Sequence, residues 1–369
     1  SISTQVLVEN IARKNALVPM LLVHRRCRGC LETSFIWAFL LLRLHVVLSA
    51  ASTQAVPRLS MMRKARFEKG TDSRYPLASQ QAFARDGLQI CDRLKNRFFK
   101  HNDPLCGEHY FSTLDLMEAF NVENDYWTGQ GQANPWWAVL SGEPKGQTVN
   151  ESDALNFYLS GHQWVAQVKN MFESRAIHPV TEGVALDLGC GLGRTSNGLL
   201  TWGFSKVLCV DQAESFLTAA RRNLIYVSKS DDNLVPSDVE TQIEFVHSSP
   251  SLLCKVEERS VDFVHSALTL QHMKPMLQVA YIEQLCDVLR PGGNGCFQIP
   301  TYIKNLKRED HCDLSAESVE MRMDYTPREE IVKHLQARNC RIMAAFEFDQ
   351  IGPIGTSMMF LFQKASTTS

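Results

Sequence analysis

Val184-Ala185-Leu186-Asp187-Leu188-Gly189-Cys190-Gly191-Leu192-Gly193 decides how the chain is read. Its first five residues form an apolar run of strand length with one acid inside it, and three alternating glycines end the run. Thr195 to Leu200 then reads as the start of a helix. The glycines lack Cβ, so the backbone can turn sharply and a ligand can lie against it. The following helix points free N–H groups at whatever occupies the turn. Lys206-Val207-Leu208-Cys209-Val210-Asp211 is a second buried strand, tipped by a carboxylate. An acid about 20 residues beyond the first glycine can accept both hydroxyls of a ribose. Strand, glycine turn, helix and acid-tipped strand make half of a nucleotide-binding α/β unit.

The dinucleotide fingerprint requires glycines at the first, third and sixth positions. Counted from Gly189 the sixth residue is Arg194, and counted from Gly191 it is Ser196, so both frames fail. What stands here is an acid followed by three alternating glycines, Asp187 to Gly193. The run Leu186 to Thr195 resembles the first motif of the class I methyltransferases that use S-adenosylmethionine. The alternative is a tight strand-to-helix turn with no ligand. The acid ahead of the turn, the acid-tipped second strand and the later motifs weigh against it.

Those later motifs extend the resemblance. Ser260 to Ser266 reads as a fourth strand and runs into Ala267-Leu268-Thr269-Leu270-Gln271-His272-Met273, where the family often has an acid or Gln before His. Asp262 matches a family acid that serves packing and turn geometry. Leu289-Arg290-Pro291-Gly292-Gly293 ends a helix that starts at Lys274 and precedes the apolar strand Gly295 to Pro300. Arg341 to Phe348 and Ser357 to Gln363 read as a closing antiparallel hairpin, which separates methyltransferase sheets from dinucleotide-binding ones. One departure stands out. After the third strand, Ile243 to His247, the family places an acid that holds the adenine amino group, whereas this chain has Ser248-Ser249-Pro250. The resemblance covers residues 151–369 well, 61–150 loosely and 1–60 not at all. It implies an α/β, Rossmann-like sheet of seven strands, mostly parallel with a C-terminal antiparallel hairpin, plus an N-terminal helical cap. It carries Asp187, Gly189, Cys190, Gly191, Gly193, Asp211, Gln212, Ser249 and Ser266 over as cofactor-binding positions, and His272 as the catalytic one. Phe157 to Gly161 lies in a helix read over 154–173, which in relatives closes over the methionine end of the cofactor. Ser160 and Gly161 are therefore candidates there, with helix packing as the alternative for Gly161.

The rest of the sequence bounds the function. The chain has 369 residues, 44% hydrophobic and 21% charged, an ordinary balance for a soluble globular protein. Its net charge of −2 and the lack of a long basic face give no electrostatic case for nucleic acid. Most of the 11 scattered cysteines sit in apolar runs, as Cys190, Cys209, Cys286 and Cys296 do, which suits buried free thiols in a reducing compartment. Residues 1–60 read as a disordered or targeting leader, with organelle targeting or a membrane anchor through 20–55 as alternatives to a cytoplasmic protein. Met20 is the first methionine, and Met61 or Met62 is a later candidate start. Residues 61–150 read as the cap: helical over 63–104, then aromatic and poor in periodicity, with Trp127, Trp136 and Trp137 reading as core or as a lid over substrate. The polar stretch 303–323 reads as a substrate-side insertion.

The implied reaction is methyl transfer from S-adenosylmethionine to a small-molecule acceptor. No metal-ligand set of the catechol type is present, and no Asn/Asp-Pro-Pro-Tyr motif follows the fourth strand, which argues against amino groups on DNA bases or protein glutamine. Neutral His272 has the pKa of a base for an oxygen acceptor near pH 7. Two other classes compete: a partner subunit that binds cofactor without turnover, and an NAD-type oxidoreductase, which Arg194 and the hairpin oppose.

Overall fold

A computed structural model describes residues 113–139, 151–229, 234–248, 255–306 and 321–366. The order of elements is α1 (Thr113–Ala133), α2 (Pro135–Val139), α3 (Glu151–Glu173), β1 (Val184–Leu188), α4 (Arg194–Trp202), β2 (Lys206–Asp211), α5 (Glu214–Val227), α6 (Val239–Gln242), β3 (Ile243–His247), β4 (Val261–Ser266), α7 (Pro275–Val288), β5 (Leu289–Ile303), α8 (Arg328–Ala337), β6 (Cys340–Glu347) and β7 (Gly355–Lys364). The sheet has seven strands in the order β3-β2-β1-β4-β5-β7-β6. Strands β1 to β5 pair in parallel, and β7 runs antiparallel to both β5 and β6. This is the expected mostly parallel sheet with its closing hairpin.

The central strands are buried on both faces, so they read as apolar runs without alternation. Apolar side chains pack on each side, around Leu186, Val264 and Phe297 on one and around Ala185, Val207 and Phe263 on the other. Strand order reverses between β1 and β4, and a crevice outside the carboxyl ends of the strands at that point is where open α/β sheets bind ligands. The opposite edge is structural. Asp262 accepts hydrogen bonds from the Val184 N–H (2.8 Å) and from Arg290 (2.6 Å), fastening β4 to the start of β1 and to β5. Asp262 is the packing acid that the resemblance implied.

Three readings change. Residues 113–133 form one continuous helix where the sequence shows little periodicity. Tertiary packing overrides its weak pattern: Ala119 and Phe120 are buried, Ser215 Oγ donates to the Thr128 carbonyl (3.1 Å), and a Cβ at Gly131 would run into Ser215. Arg290-Pro291-Gly292-Gly293 ends α7 but lies inside β5. The pairing with β4 jumps from Val261–Leu289 to Phe263–Asn294, so a bulge absorbs the glycines. Cys190 and Cys209 are joined as a disulfide rather than remaining free thiols, because adjacent parallel strands bring the glycine turn beside β2. Cys286, Cys296 and Cys340 are buried and free. The helix read over 63–104 and the leader lie outside the described residues. Among the described residues, no helix is long and apolar enough to cross a membrane.

Candidate functional site

A cleft of about 280 Å³ opens at the carboxyl ends of β1, β2 and β4, with the glycine turn as one wall. The turn is tied to β2, since the N–H groups of Gly189 and Cys190 both donate to the Val210 carbonyl (2.8 and 3.0 Å). Gly189 has φ 72°, and a Cβ there would collide with Thr269 at the head of the loop after β4. Only glycine meets both demands. Asp211 closes the floor. Its Oδ2 accepts the Gly191 N–H (3.0 Å) and its Oδ1 accepts the Ala213 N–H (2.9 Å). Each carboxylate oxygen keeps a further lone pair for a ligand hydroxyl. Burial pushes the Asp211 pKa up to about 6, against the pull of those N–H groups.

Asp187 stands behind the turn rather than in the cleft wall. Ser196 Oγ donates to its Oδ2 (2.7 Å), and the His265 ring nitrogen Nδ1 lies 2.8 Å from its Oδ1. The Trp164 indole N–H, which can only donate, points at His265 Nε2 (2.9 Å). Nε2 therefore carries the lone pair and Nδ1 the proton, so neutral His265 donates to Asp187. This buried chain props the turn and the first turn of α4. Gly193 opens α4 at φ 80°, and Ser266 Oγ donates to the Leu188 carbonyl (3.1 Å). Asp187, Gly193 and Ser266 thus frame the cleft, whereas Gly189, Cys190, Gly191, Asp211, Gln212 and His272 line it. Ser249 lies outside the described residues.

A directed hydrogen-bond chain sets His272. The Leu268 N–H donates to Gln298 Oε1 (2.9 Å), which turns the Gln298 amino group toward Gln271 Oε1 (3.2 Å). That leaves the Gln271 amino group facing His272 Nε2 (3.1 Å). On the other side, His272 Nδ1–H donates to the Arg322 carbonyl (2.8 Å). The ring therefore holds its proton at Nδ1 and presents a lone pair at Nε2, and burial lowers its pKa below the usual histidine range. Trp127 of α1 sits edge-on to this ring at 5.3 Å. Segment 321–324 completes the wall: Met321 and Met323 line the cleft, while the Arg322 guanidinium pairs with Asp324 (3.0 Å). Tyr126 Oη accepts the Met321 N–H (3.1 Å), joining this segment to α1.

Sequence reasoning missed several wall residues. Arg194 served only to break the dinucleotide pattern, yet its half-buried guanidinium lines the cleft, donates to Ser160 Oγ (3.0 Å) and lies 5.6 Å over the Phe157 ring. Gly161 is a packing glycine, because a Cβ would run into the Arg194 carbonyl. Ser248 and Tyr281 also line the cleft. No local pattern marks Tyr281, which reads as one more apolar position on α7.

Residues 185–293 match the family described as a methyltransferase domain. Structures similar to this one include a magnesium protoporphyrin IX methyltransferase from Synechocystis with bound S-adenosylhomocysteine. It is 17% identical, with 67% of this chain and 100% of that one covered and a TM-score of 0.46. A S-adenosylmethionine-dependent methyltransferase from Leishmania major is 14% identical, with 66% and 82% covered and a TM-score of 0.43. No curated protein sequence matches the chain. Residues 185–293 are thus similar to a methyltransferase domain, and the seven-stranded order with antiparallel β7 agrees with the fold expected of one.

Proposed function

We infer that this chain transfers the methyl group of S-adenosylmethionine to a small-molecule acceptor bound beside His272. One observation carries the reading: Asp211 is held by two backbone N–H groups against the glycine turn, with lone pairs left for a ligand, on the floor of the same cleft that His272 lines. When bound, the cofactor supplies an electrophilic methyl group on a sulfonium, and the protein supplies position and electrostatics.

The chain's own groups divide the work. Asp211 accepts hydroxyl protons of a ribose, and the glycine turn lets a ligand approach the backbone. Arg194, which donates to Ser160 Oγ and lines the cleft, offers its remaining N–H groups to an anionic ligand group. His272 takes a proton at Nε2 from an acceptor hydroxyl that displaces the Gln271 amino group from that single lone pair, a step that needs the neutral ring and a heavy-atom distance within hydrogen-bond reach. Trp127, Met321 and Met323 give the acceptor an apolar wall, so α1 and α2 act as the cap within residues 61–150 over the methyltransferase domain of 151–369. Residues 1–60 then serve as a leader outside the catalytic unit.

Calorimetric titration of the full chain with S-adenosylhomocysteine, with NAD as control, tests the cofactor. Micromolar binding that is lost in Asp211→Ala supports the reading, and binding of NAD instead overturns it. Methyl transfer to a panel of small acceptors tests turnover. Tight cofactor binding without turnover on any acceptor would favour a non-catalytic partner subunit.

A further inference from the structure

Glu123 of α1 is a buried acid, 6% exposed, that the proposed reaction does not use. Its Oε1 accepts the Lys274 N–H (2.7 Å), two residues beyond His272, and its Oε2 has no hydrogen-bond partner among the described residues. Tyr126 and Trp127 stand three and four places on, along the same face of the helix. Tyr126 Oη accepts the Met321 N–H, and Trp127 meets the His272 ring. One face of α1 therefore grips both segments that hold His272. The first is the loop after β4. The second is segment 321–324, whose Arg322 carbonyl accepts His272 Nδ1–H and whose Asp324 N–H donates to the Gln271 carbonyl (2.8 Å).

The surroundings of Glu123 fix its charge. Among the described residues, the charged groups that act on it are Asp324 and Arg322 from segment 321–324 and Lys274 from the head of α7. The Tyr281 hydroxyl lies near it on α7, and α5 meets α1 through the neutral side chains of Ser215 and Phe216. Burial holds the Glu123 carboxyl well above the usual carboxylate range. The Lys274 N–H pulls it down, and the Asp324 charge adds to the rise. Arg322 is paired with Asp324, so its charge is largely answered before it reaches Glu123. A buried neutral hydroxyl without a partner costs far less than a buried charge without one. The seated helix thus suits a protonated Glu123. An ionised Glu123 needs water at Oε2, which a displaced helix would admit.

We propose that Glu123 is a positioning acid: as a neutral carboxyl it keeps α1 seated on the two segments that hold His272, and its ionisation lets α1 lift from them. Helix α1 is then a lid on the acceptor side of the cleft that loosens as pH rises. The sign follows from proton binding. The seated form holds a proton that the lifted form releases. Seating therefore weakens as pH climbs from the ordinary carboxylate range toward the pKa of the seated acid, and it levels off above that. Within this window one proton changes the lifting equilibrium about tenfold per pH unit. The inference is independent of the methyl-transfer reading, because it concerns how the wall around His272 is held and not what the cleft binds.

Hydrogen exchange of the full chain tests it, read by mass spectrometry over α1 and segment 321–324 between about pH 5 and about pH 8, with β7 as the internal reference. Glu123→Gln is the comparison, since an amide can still accept the Lys274 N–H and cannot ionise. The intrinsic pH dependence of exchange cancels in the ratio of wild type to variant at each pH. At about pH 5 the two proteins should exchange alike. Toward about pH 8 α1 of the wild type should exchange at least about tenfold faster than α1 of the variant, with β7 equal in both. Parallel curves overturn the proposal. So does a variant whose α1 exchanges faster than the wild type at every pH, which would make Glu123 a packing residue only. If the variant loses protection in β7 and so misfolds, the wild type alone is decisive. Its α1 protection relative to β7, corrected for intrinsic rates, must fall as pH rises, and a constant ratio overturns the proposal.

Discussion

The two sides of the cleft are built differently. The floor comes from neighbouring stretches: the glycine turn and Asp211 are 20 residues apart, and the hydrogen bond from Gly191 to Asp211 closes that short loop. The His272 side comes from segments far apart in the chain. Trp127 lies on α1, His272 follows β4, and Met321 and Met323 follow the stretch after β5. A site half made of local turns tolerates little change in its few residues. A site half made of distant walls spreads its energy over many apolar contacts. The floor should therefore show large losses confined to cofactor binding, and the far wall smaller losses confined to the acceptor.

The largest effect tests the floor. Asp211→Ala removes the carboxylate that we propose accepts two ribose hydroxyls, and it frees the Gly191 and Ala213 N–H groups. Two charge-assisted hydrogen bonds should be lost, so affinity for S-adenosylhomocysteine falls about 100-fold or more by calorimetry. An effect under about tenfold would mean that the carboxylate serves the turn alone. The next effect tests the separation of the two sides. His272→Asn should lower turnover of a hydroxyl acceptor about 100-fold while cofactor affinity stays within about twofold. Equal losses in both would make His272 a structural residue of the Gln298–Gln271 chain instead. Trp127→Ala follows. It removes an edge contact to His272 and part of the acceptor wall, so the acceptor KM should rise about tenfold with cofactor affinity unchanged. A matching loss of cofactor affinity would place Trp127 on both sides and end the comparison.

The same contrast explains what was legible in the sequence. The parallel strands, the glycine turn, Asp211 and the closing hairpin could be read because each depends on adjacent residues: apolar runs of strand length, glycines at a turn, an acid at a strand end. Glycine at 189 is demanded by its own φ and also by Thr269, 80 residues on, and only the first demand shows locally. Helix α1 was missed because its apolar face is defined by what covers it, chiefly Ser215 and Phe216 of α5. The place of Tyr281 in the cleft was illegible for a related reason. Tyrosine in an apolar helix stripe is ordinary, and only the fold shows that it lines the site. Asp187 was read as a cofactor contact because it is written into the turn. The structure shows it acting one layer back, through Ser196 and His265.

The smallest effect is a pH dependence that belongs to the floor alone. Burial raises the Asp211 pKa to about 6, so the acid is only partly ionised under mildly acidic conditions. Raising the pKa above that of the unfolded chain favours the neutral form in the fold. The stability it contributes is present below the unfolded carboxylate pKa and is lost as pH rises through about 6. Ligand binding has the opposite sign under the proposed function, in which ribose hydroxyls donate to the ionised carboxylate. Affinity for S-adenosylhomocysteine should therefore fall about fourfold between about pH 7.5 and about pH 5.5. Asp211→Asn should bind weakly with that dependence removed. His272 shifts the other way: burial lowers its pKa and favours the neutral ring, and because it stands across the cleft from the floor it should leave the binding profile alone. A profile that persists in Asp211→Asn but disappears in His272→Asn would assign the titration to the far wall, and the two sides would then be coupled rather than separate.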